Sequence, residues 1–408
     1  MEINGLDGSI KFKLFDEDKN GREINIYTLQ NVIATGESLL YPNILFFCDK
    51  TKSSLVSPLD EKIMSLENIT KITDFSDEKL LNLGENMDIE VNPVFFFIYN
   101  TENYYHFVYD TLPYLISYFE LKKTNPKLKL LMSLPNSNKV SFYQFVIELL
   151  IINGIEDDDI LMVNPNTLYK NVFVSNSYTH GIDSNLQPRY EVNYLYESIV
   201  NKVKNNKVYP KNIYISRRSW IHGDVTNIGT NYTNRRKLIN EDELVSTLEE
   251  HGFIEVFTET MSMVDKINLF ANADNIIGPI GGGLVNVLFS KSDCNLIAII
   301  SPEFLNINKR FIFSFNCVTL NMFEDVEHVE KTEFKLYMRV EVDNIVGEII
   351  EITGDKCKIL YSDTSVSGWN SESDYNQKEC YLSDCVKLDN GLNSSWVIDL
   401  DKFKEKYL

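Results

Sequence analysis

Residues 276–289 read IIGPIGGGLVNVLF: an apolar run, a proline, three consecutive glycines and a second apolar stretch. Glycine lets the backbone approach a ligand closely and reach positive φ at no steric cost. A helix starting near Leu284 would aim its unpaired N–H groups at an anion. The segment predicts a strand, an anion-binding turn and a helix, with a diphosphate as the commonest occupant. By itself it reads equally well as a tight turn packed against its neighbours. The residues before it separate the two.

Upstream, the chain alternates strand and helix at the spacing of a parallel sheet. NIYIS (212–216) predicts a strand with Arg217 and Arg218 at its carboxyl end. NEDELVSTLEEHGF predicts a helix with Asn240 as N-cap, Glu243 completing a capping box and Gly252 as the stop. FIEVFT (253–258) follows as a strand, Ser262 with Asp265 caps a helix through Ala273, and NIIGP and NLIAIIS (295–301) supply two more strands. Ligands of such sheets lie outside the carboxyl ends of the strands. Arg217, Arg218, Glu259 and Gly281, Gly282 and Gly283 all fall there. A dinucleotide fold would place G-x-G-x-x-G after the first strand of the unit, where this chain has SRRSW. An NAD-type enzyme is therefore disfavoured.

The chain carries 39 Lys plus Arg against 59 Asp plus Glu, a net charge of −20, which repels nucleic acid and anionic membranes. An anionic small ligand still fits. Eight residues are arginine, and Arg217, Arg218, Arg235 and Arg236 lie within twenty positions. Their planar forks suit phosphate oxygens, and Arg217 and Arg235 are the preferred pair. The bland alternative is a solvated strand end and a basic loop.

At 408 residues with 44% hydrophobic content, the chain can bury two or three cores. The expected organisation is an N-terminal α/β domain with a β-rich extension over 1–204, an α/β domain carrying the anion-binding turn over 205–328, and a small β-rich domain over 329–408. In the first part VFFFIY (94–99), KLKLLMS (127–133), DILMVN and LYKNVFVSNS read as strands, with SFYQFVIELLI and YEVNYLYESIVNKVK as helices. In the last part VGEIIEITGDKCKILYSD predicts a hairpin turning at Gly354-Asp355. No apolar run is long enough for a membrane helix and no export signal precedes residue 22, so the expected location is cytoplasmic. Six cysteines without metal-finger spacing read as reduced thiols. Sequons at Asn68, Asn231 and Asn393 then carry no glycosylation. A homo-oligomer is left open.

A second constellation is NTENYYHFVYDTLPYL (100–115). If a helix begins at Asn103, His106 and Asp110 share one face. A carboxylate beside an imidazole fixes its tautomer and raises its basicity, a route to a general base for a sugar hydroxyl. The competing reading is a core histidine satisfied by a local carboxylate. Pro113 obliges the helix to bend or adapt. The acidic triplets at Asp16-Glu17-Asp18, Asp157-Asp158-Asp159 and Asp399-Leu400-Asp401 read as surface, not as a metal site against a diphosphate.

Taken together, N-Y-Y-H-F-x-Y-D-T-L-P at 103–113, Y-I-S-R-R at 214–218, Arg235 or Arg236 before I-N-E-D-E-L at 239–244, G-F at 252–253 and I-I-G-P-x-G-G-G-L-x-N at 276–286 resemble glycosyltransferase family 61, the DUF563 glycosyltransferases. The resemblance covers about residues 90–302. It implies a GT-B fold of two Rossmann-like domains facing a cleft, inverting chemistry without a metal or other cofactor, a nucleotide-sugar donor, UDP-linked in known branches, and a glycan or glycoconjugate acceptor. Where many members have G-x-H-G, this chain has Ile280, so that imidazole's contact is absent. Eukaryotic members carry anchors or signals, which points this chain to a microbial or viral origin. On this reading the donor set is Arg217, Arg218, Arg235, Glu241, Glu259, Gly281, Gly282, Gly283 and Asn286. Asp110, supported by His106, takes the acceptor proton, with the choice between the two open. The alternatives are a nucleotide-sugar epimerase or hydrolase of similar architecture and a non-catalytic nucleotide- or carbohydrate-binding protein.

Overall fold

The computed structural model describes residues 10–34, 46–48, 53–57, 62–64, 87–98, 101–135, 140–164, 166–179, 187–218, 238–302, 309–328, 334, 339–362, 375–387 and 395–408. The chain divides into two compact units, Met1–Lys202 and Val203–Leu408. Parallel and antiparallel sheets, helices and a β-rich C-terminal region make it a mixed α/β protein.

The first unit is built on a ten-stranded sheet. Its parallel half runs Thr167–Ser175, Val94–Phe96, Lys129–Met132, Ile160–Met162. Val94, Phe95 and Phe96 are all fully buried, as expected of a parallel strand covered on both faces. The eleven-residue strand Ile24–Ala34 pairs antiparallel with Thr167–Ser175 and carries the antiparallel half, built from strands before residue 65. The place of these early strands in the sheet has no local signature in the sequence, because Ile24–Ala34 finds its partner Thr167–Ser175 far along the chain.

In the second unit five parallel strands are ordered Ile254–Val256, Asn212–Ile215, Asn275–Pro279, Asn295–Ile299, Thr319–Phe323. Numbered along the chain from residue 212, that order is 2-1-3-4-5, the doubly wound arrangement of flavodoxin-like proteins and not the 3-2-1-4-5 of a dinucleotide fold. The order reverses between Asn212–Ile215 and Asn275–Pro279. The fifth strand, TLNMF, escapes sequence reading because its residues are half exposed and show no continuous apolar run. Helix Glu241–Glu250 buries Leu244, Val245 and Leu248 against Tyr214, Ile277, Ile297 and Ile299 of the sheet.

Ser262 caps helix Met263–Asn272 by accepting from the Asp265 N–H, as its sequence predicts. The capping box foreseen at Asn240 does not form. The Asn240 side chain instead donates to the Ile398 carbonyl at 2.9 Å and accepts from the Ile398 N–H at 3.1 Å. A contact 158 residues away thus outcompetes a local one, and it anchors the strand Trp396–Ile398. Trp396, Ile398 and Phe403 pack into the core of the parallel sheet, so the chain's last residues belong to that core although 329–408 read as a separate domain.

The remaining C-terminal strands form a five-stranded antiparallel sheet, Tyr375–Tyr381, Lys356–Ser362, Ile345–Thr353, Arg339–Val342, Val386–Lys387. Thr353 faces Lys356 across the two-residue turn at Gly354-Asp355. Gly354 has φ 64°, the pattern of a type II′ hairpin turn, which glycine supplies without strain.

Candidate active site

Strands Asn212–Ile215 and Asn275–Pro279 are parallel neighbours, with Tyr214 opposite Ile277. The segments leaving their carboxyl ends therefore emerge side by side at the switch point. Arg217 leaves the first and Gly281 the second. The Arg217 Nη1 lies 3.4 Å from the Ile280 carbonyl. A Cβ built on Gly281 would come within 2.2 Å of that Nη1. Gly283 is held as closely: its Cβ would meet Thr258 Oγ1 at 2.9 Å and Ile215 Cγ2 at 3.1 Å. A Cβ on Gly282 would meet nothing within 4 Å.

These contacts correct the expected reason for the glycines. None of the three occupies the left-handed region, and Gly281, with φ 164°, is extended. Close approach, not positive φ, is what Gly281 and Gly283 provide. The helix expected near Leu284 is a 3-10 helix, Gly282–Phe289, whose buried Asn286 braces the loop by donating from Nδ2 to the Gly283 carbonyl at 2.8 Å.

Glu241 fixes the other side of Arg217. Its Oε1 accepts from the Arg217 N–H at 2.8 Å, the Tyr214 hydroxyl at 2.9 Å and the Ser216 hydroxyl at 3.2 Å. Burial raises the Glu241 carboxyl above the ordinary glutamate value, and these donors pull it back. Burial also lowers the Arg217 guanidinium from its ordinary value, opposed by the nearby Glu241 and Glu259 carboxylates. An arginine stays charged through such a shift. Arg218, placed with the donor set from sequence, is engaged elsewhere. Its Nε and Nη2 clasp Glu255 at 2.6 and 2.7 Å, and its Nη1 reaches Asp242 at 2.6 Å. The hydrogen bonds to Glu255 first, and those to Asp242, raise its pKa. Arg235 lies outside the described residues.

In the first unit Asn103 caps a short helix, Tyr104–His106, by accepting from the His106 N–H at 3.2 Å. The helix widens at once into a π-turn, Phe107–Thr111, where Leu112 donates to the Phe107 carbonyl five residues back. Pro113 accounts for this. In π-register the Val108 carbonyl would face the N–H that proline lacks, and the buried Tyr196 hydroxyl supplies the donor instead. Tyr196→Phe is expected to lower stability by about 1–3 kcal/mol, the cost of a buried unsatisfied carbonyl. A denaturant midpoint unmoved by that change would remove the hydroxyl from this account.

The turn sets His106 and Asp110 on one face, with Nδ1 and Oδ2 2.7 Å apart. Asp110 is 5% exposed, and its Oδ1 accepts from the Thr179 hydroxyl at 3.1 Å. The His106 side chain keeps 28% of its surface. A carboxylate only accepts, so Nδ1 carries a proton, and in the neutral ring Nε2 is then the nitrogen with the lone pair. Thr179 was missed from sequence. It reaches Asp110 because Thr167–Ser175 and Val94–Phe96 are parallel neighbours, which brings the segments following both strands together.

One member of each acidic triplet is engaged by its own neighbourhood. Asp18 accepts from the N–H groups of Asn20 and Arg22, Asp159 closes a capping box with Glu156 and pairs with Lys122, and Asp399 caps the last helix.

Comparison with curated proteins gives no match. A family model described as Glycosyltransferase 61 matches residues 104–297. That span opens on the helix carrying His106 and closes on the strand after the glycine loop, so it holds both constellations. Residues 104–297 carry the sequence pattern of the glycosyltransferase 61 family, and over that span the chain is similar to glycosyltransferases.

Proposed function

We propose that the chain moves a sugar from a nucleoside diphosphate donor, UDP-linked by resemblance, to a glycan hydroxyl, with inversion and without a catalytic metal. The observation that carries the reading is the cationic Arg217 lying over Gly281 at the switch point, beside the open face of Gly282. Oriented guanidinium donors at that place match a diphosphate leaving group, whose developing charge is the chief electrostatic demand of the reaction.

In this reading Arg217 and the Gly281–Gly283 loop hold the diphosphate, with Arg235 as a second cation and Glu259 on the ribose hydroxyls. Glu241 and Asn286 are positioning residues, one through the Arg217 backbone and one through the loop. Arg218 is reassigned to tying the strand Ile254–Val256 and the helix Glu241–Glu250 to its own strand end. On the acceptor side, the geometry favours His106 over Asp110 as base. Asp110 is buried with both oxygens engaged, while the His106 imidazole is the more exposed member. The acceptor O–H gives its proton to Nε2 as the oxygen attacks the anomeric carbon. The bond to the diphosphate breaks on the opposite face, which inverts the configuration.

A thermal-shift screen with UDP and a panel of nucleotide sugars tests the donor, since a ligand of the native state raises the melting temperature with its occupancy. UDP and at least one UDP-sugar should stabilise the chain, and a glycan panel should then yield product. Donor consumed equally without acceptor would favour a hydrolase or epimerase. UDP binding with no turnover would favour a non-catalytic binder. Chelator-treated protein should show the same turnover with and without added Mn²⁺ or Mg²⁺, because in this reading Arg217 supplies the positive charge at the glycine loop. Turnover restored only by Mn²⁺ would replace this mechanism with a metal-assisted one.

A further inference from the structure

The sequence spaces Cys357, Cys380 and Cys385 in no recognisable metal pattern, yet the fold gathers them. Cys357 and Cys380 sit directly opposite each other on the antiparallel strands Lys356–Ser362 and Tyr375–Tyr381. The 3-10 turn Leu382–Asp384 then reverses the chain, with the Leu382 N–H held by the Asp355 carbonyl at 2.9 Å and the Cys385 N–H by Leu382 at 3.2 Å. Cys385 returns beneath the other two. The three Sγ atoms form a nearly equilateral triangle, with separations of 3.5, 3.7 and 3.7 Å.

We propose that Cys357, Cys380 and Cys385 form a binding site for a thiophilic cation, Zn²⁺ in the first instance, that clasps the C-terminal sheet. Zinc takes sulfur ligands at about 2.3 Å in tetrahedral array, which requires sulfurs about 3.8 Å apart. The observed triangle meets that requirement almost without movement. Cys357 and Cys385 are buried against Val340, Val342, Ile349 and Ile359, so two ligands come from a packed apolar wall that fixes their positions. Cys380 is half-exposed, which leaves the fourth coordination position open on that side. A disulfide accounts for the arrangement less well, since any pairing leaves the third thiol over. The site lies outside residues 104–297, and a bound ion would tie the strand Tyr375–Tyr381 and the turn after it to the hairpin turning at Gly354.

The test uses the full chain, reduced and freed of metal, titrated with Co²⁺ as a spectroscopic probe and then with Zn²⁺. Expected are a sulfur-to-cobalt charge-transfer band saturating at one ion per chain, its loss on displacement by Zn²⁺, and a melting temperature raised by either ion. Cys380→Ser, at the half-exposed position and therefore the least disruptive change, should abolish the band while the chain stays folded, and Cys357→Ser should do the same. Cys317→Ser, elsewhere in the unit, should leave it intact. A folded, fully reduced chain that takes up neither ion would show three packed core thiols and overturn the proposal. So would a band that survives Cys380→Ser, or a disulfide among the three that, once reduced, yields no metal site.

Discussion

His106→Ala should lower kcat by about 10³–10⁴ while leaving UDP affinity unchanged, because on the proposed mechanism the substitution removes the proton acceptor and nothing on the donor side. Asp110→Asn should cost about as much, for a different reason. An asparagine amide can donate to Nδ1, which moves the proton to Nε2 and turns the base into a donor. Thr179→Val, which removes the hydroxyl on Oδ1, should cost only about tenfold, since the carboxylate keeps its contact with Nδ1. Added imidazole separates the two possible bases. If His106 is the acceptor of the proton, imidazole should restore part of the turnover of His106→Ala and none of that of Asp110→Asn. Turnover in His106→Ala close to wild type, measured per folded molecule, would move the base elsewhere. A loss of melting temperature matched by normal turnover in both variants would reduce the pair to packing.

The residues that made the two constellations legible in sequence, one in each unit, are those with local signatures. Asn103, four residues of helix spacing and Pro113 placed His106 beside Asp110, and the apolar runs ending in Arg217 and Gly281 marked strand ends. Parallel pairing through long crossovers leaves no local trace, so neither the 2-1-3-4-5 order nor the arrival of Thr179 at Asp110 was visible. Asn240 shows the opposite failure. Its local signature was genuine, but Ile398 captured the side chain. Arg217 and Arg218 both entered the donor set, with Arg217 preferred for the phosphates, and the neighbouring strand, which brings Glu255 beside Tyr214, gives Arg218 its separate partner. The cysteines combine both limits. A cross-strand pair and a turn assemble them, and their sequence separations of 23 and 5 fit no familiar spacing.

Arg217→Ala should weaken UDP binding by about 1.5–3 kcal/mol, roughly 10–150-fold in Kd, the size of a charge-assisted hydrogen bond to an ion. The glycines make that expectation sharper. Gly281→Ala keeps the charge but places a methyl 2.2 Å from Nη1, so the guanidinium must swing off the loop and the affinity should fall nearly as far. Because both changes disable one contact, combining them should cost little more than either alone. Gly282→Ala is the discriminating case. Its backbone lies outside the left-handed region and its Cβ would meet no protein atom within 4 Å, so the chain should fold as stably as wild type. If the diphosphate lies on the loop, that methyl occupies the ligand's space and UDP affinity drops without any loss of melting temperature. Calorimetry on the free nucleotide reads this directly. Affinity unchanged in Gly282→Ala but reduced in Arg217→Ala would keep the arginine in the site and take the phosphates off the glycine loop.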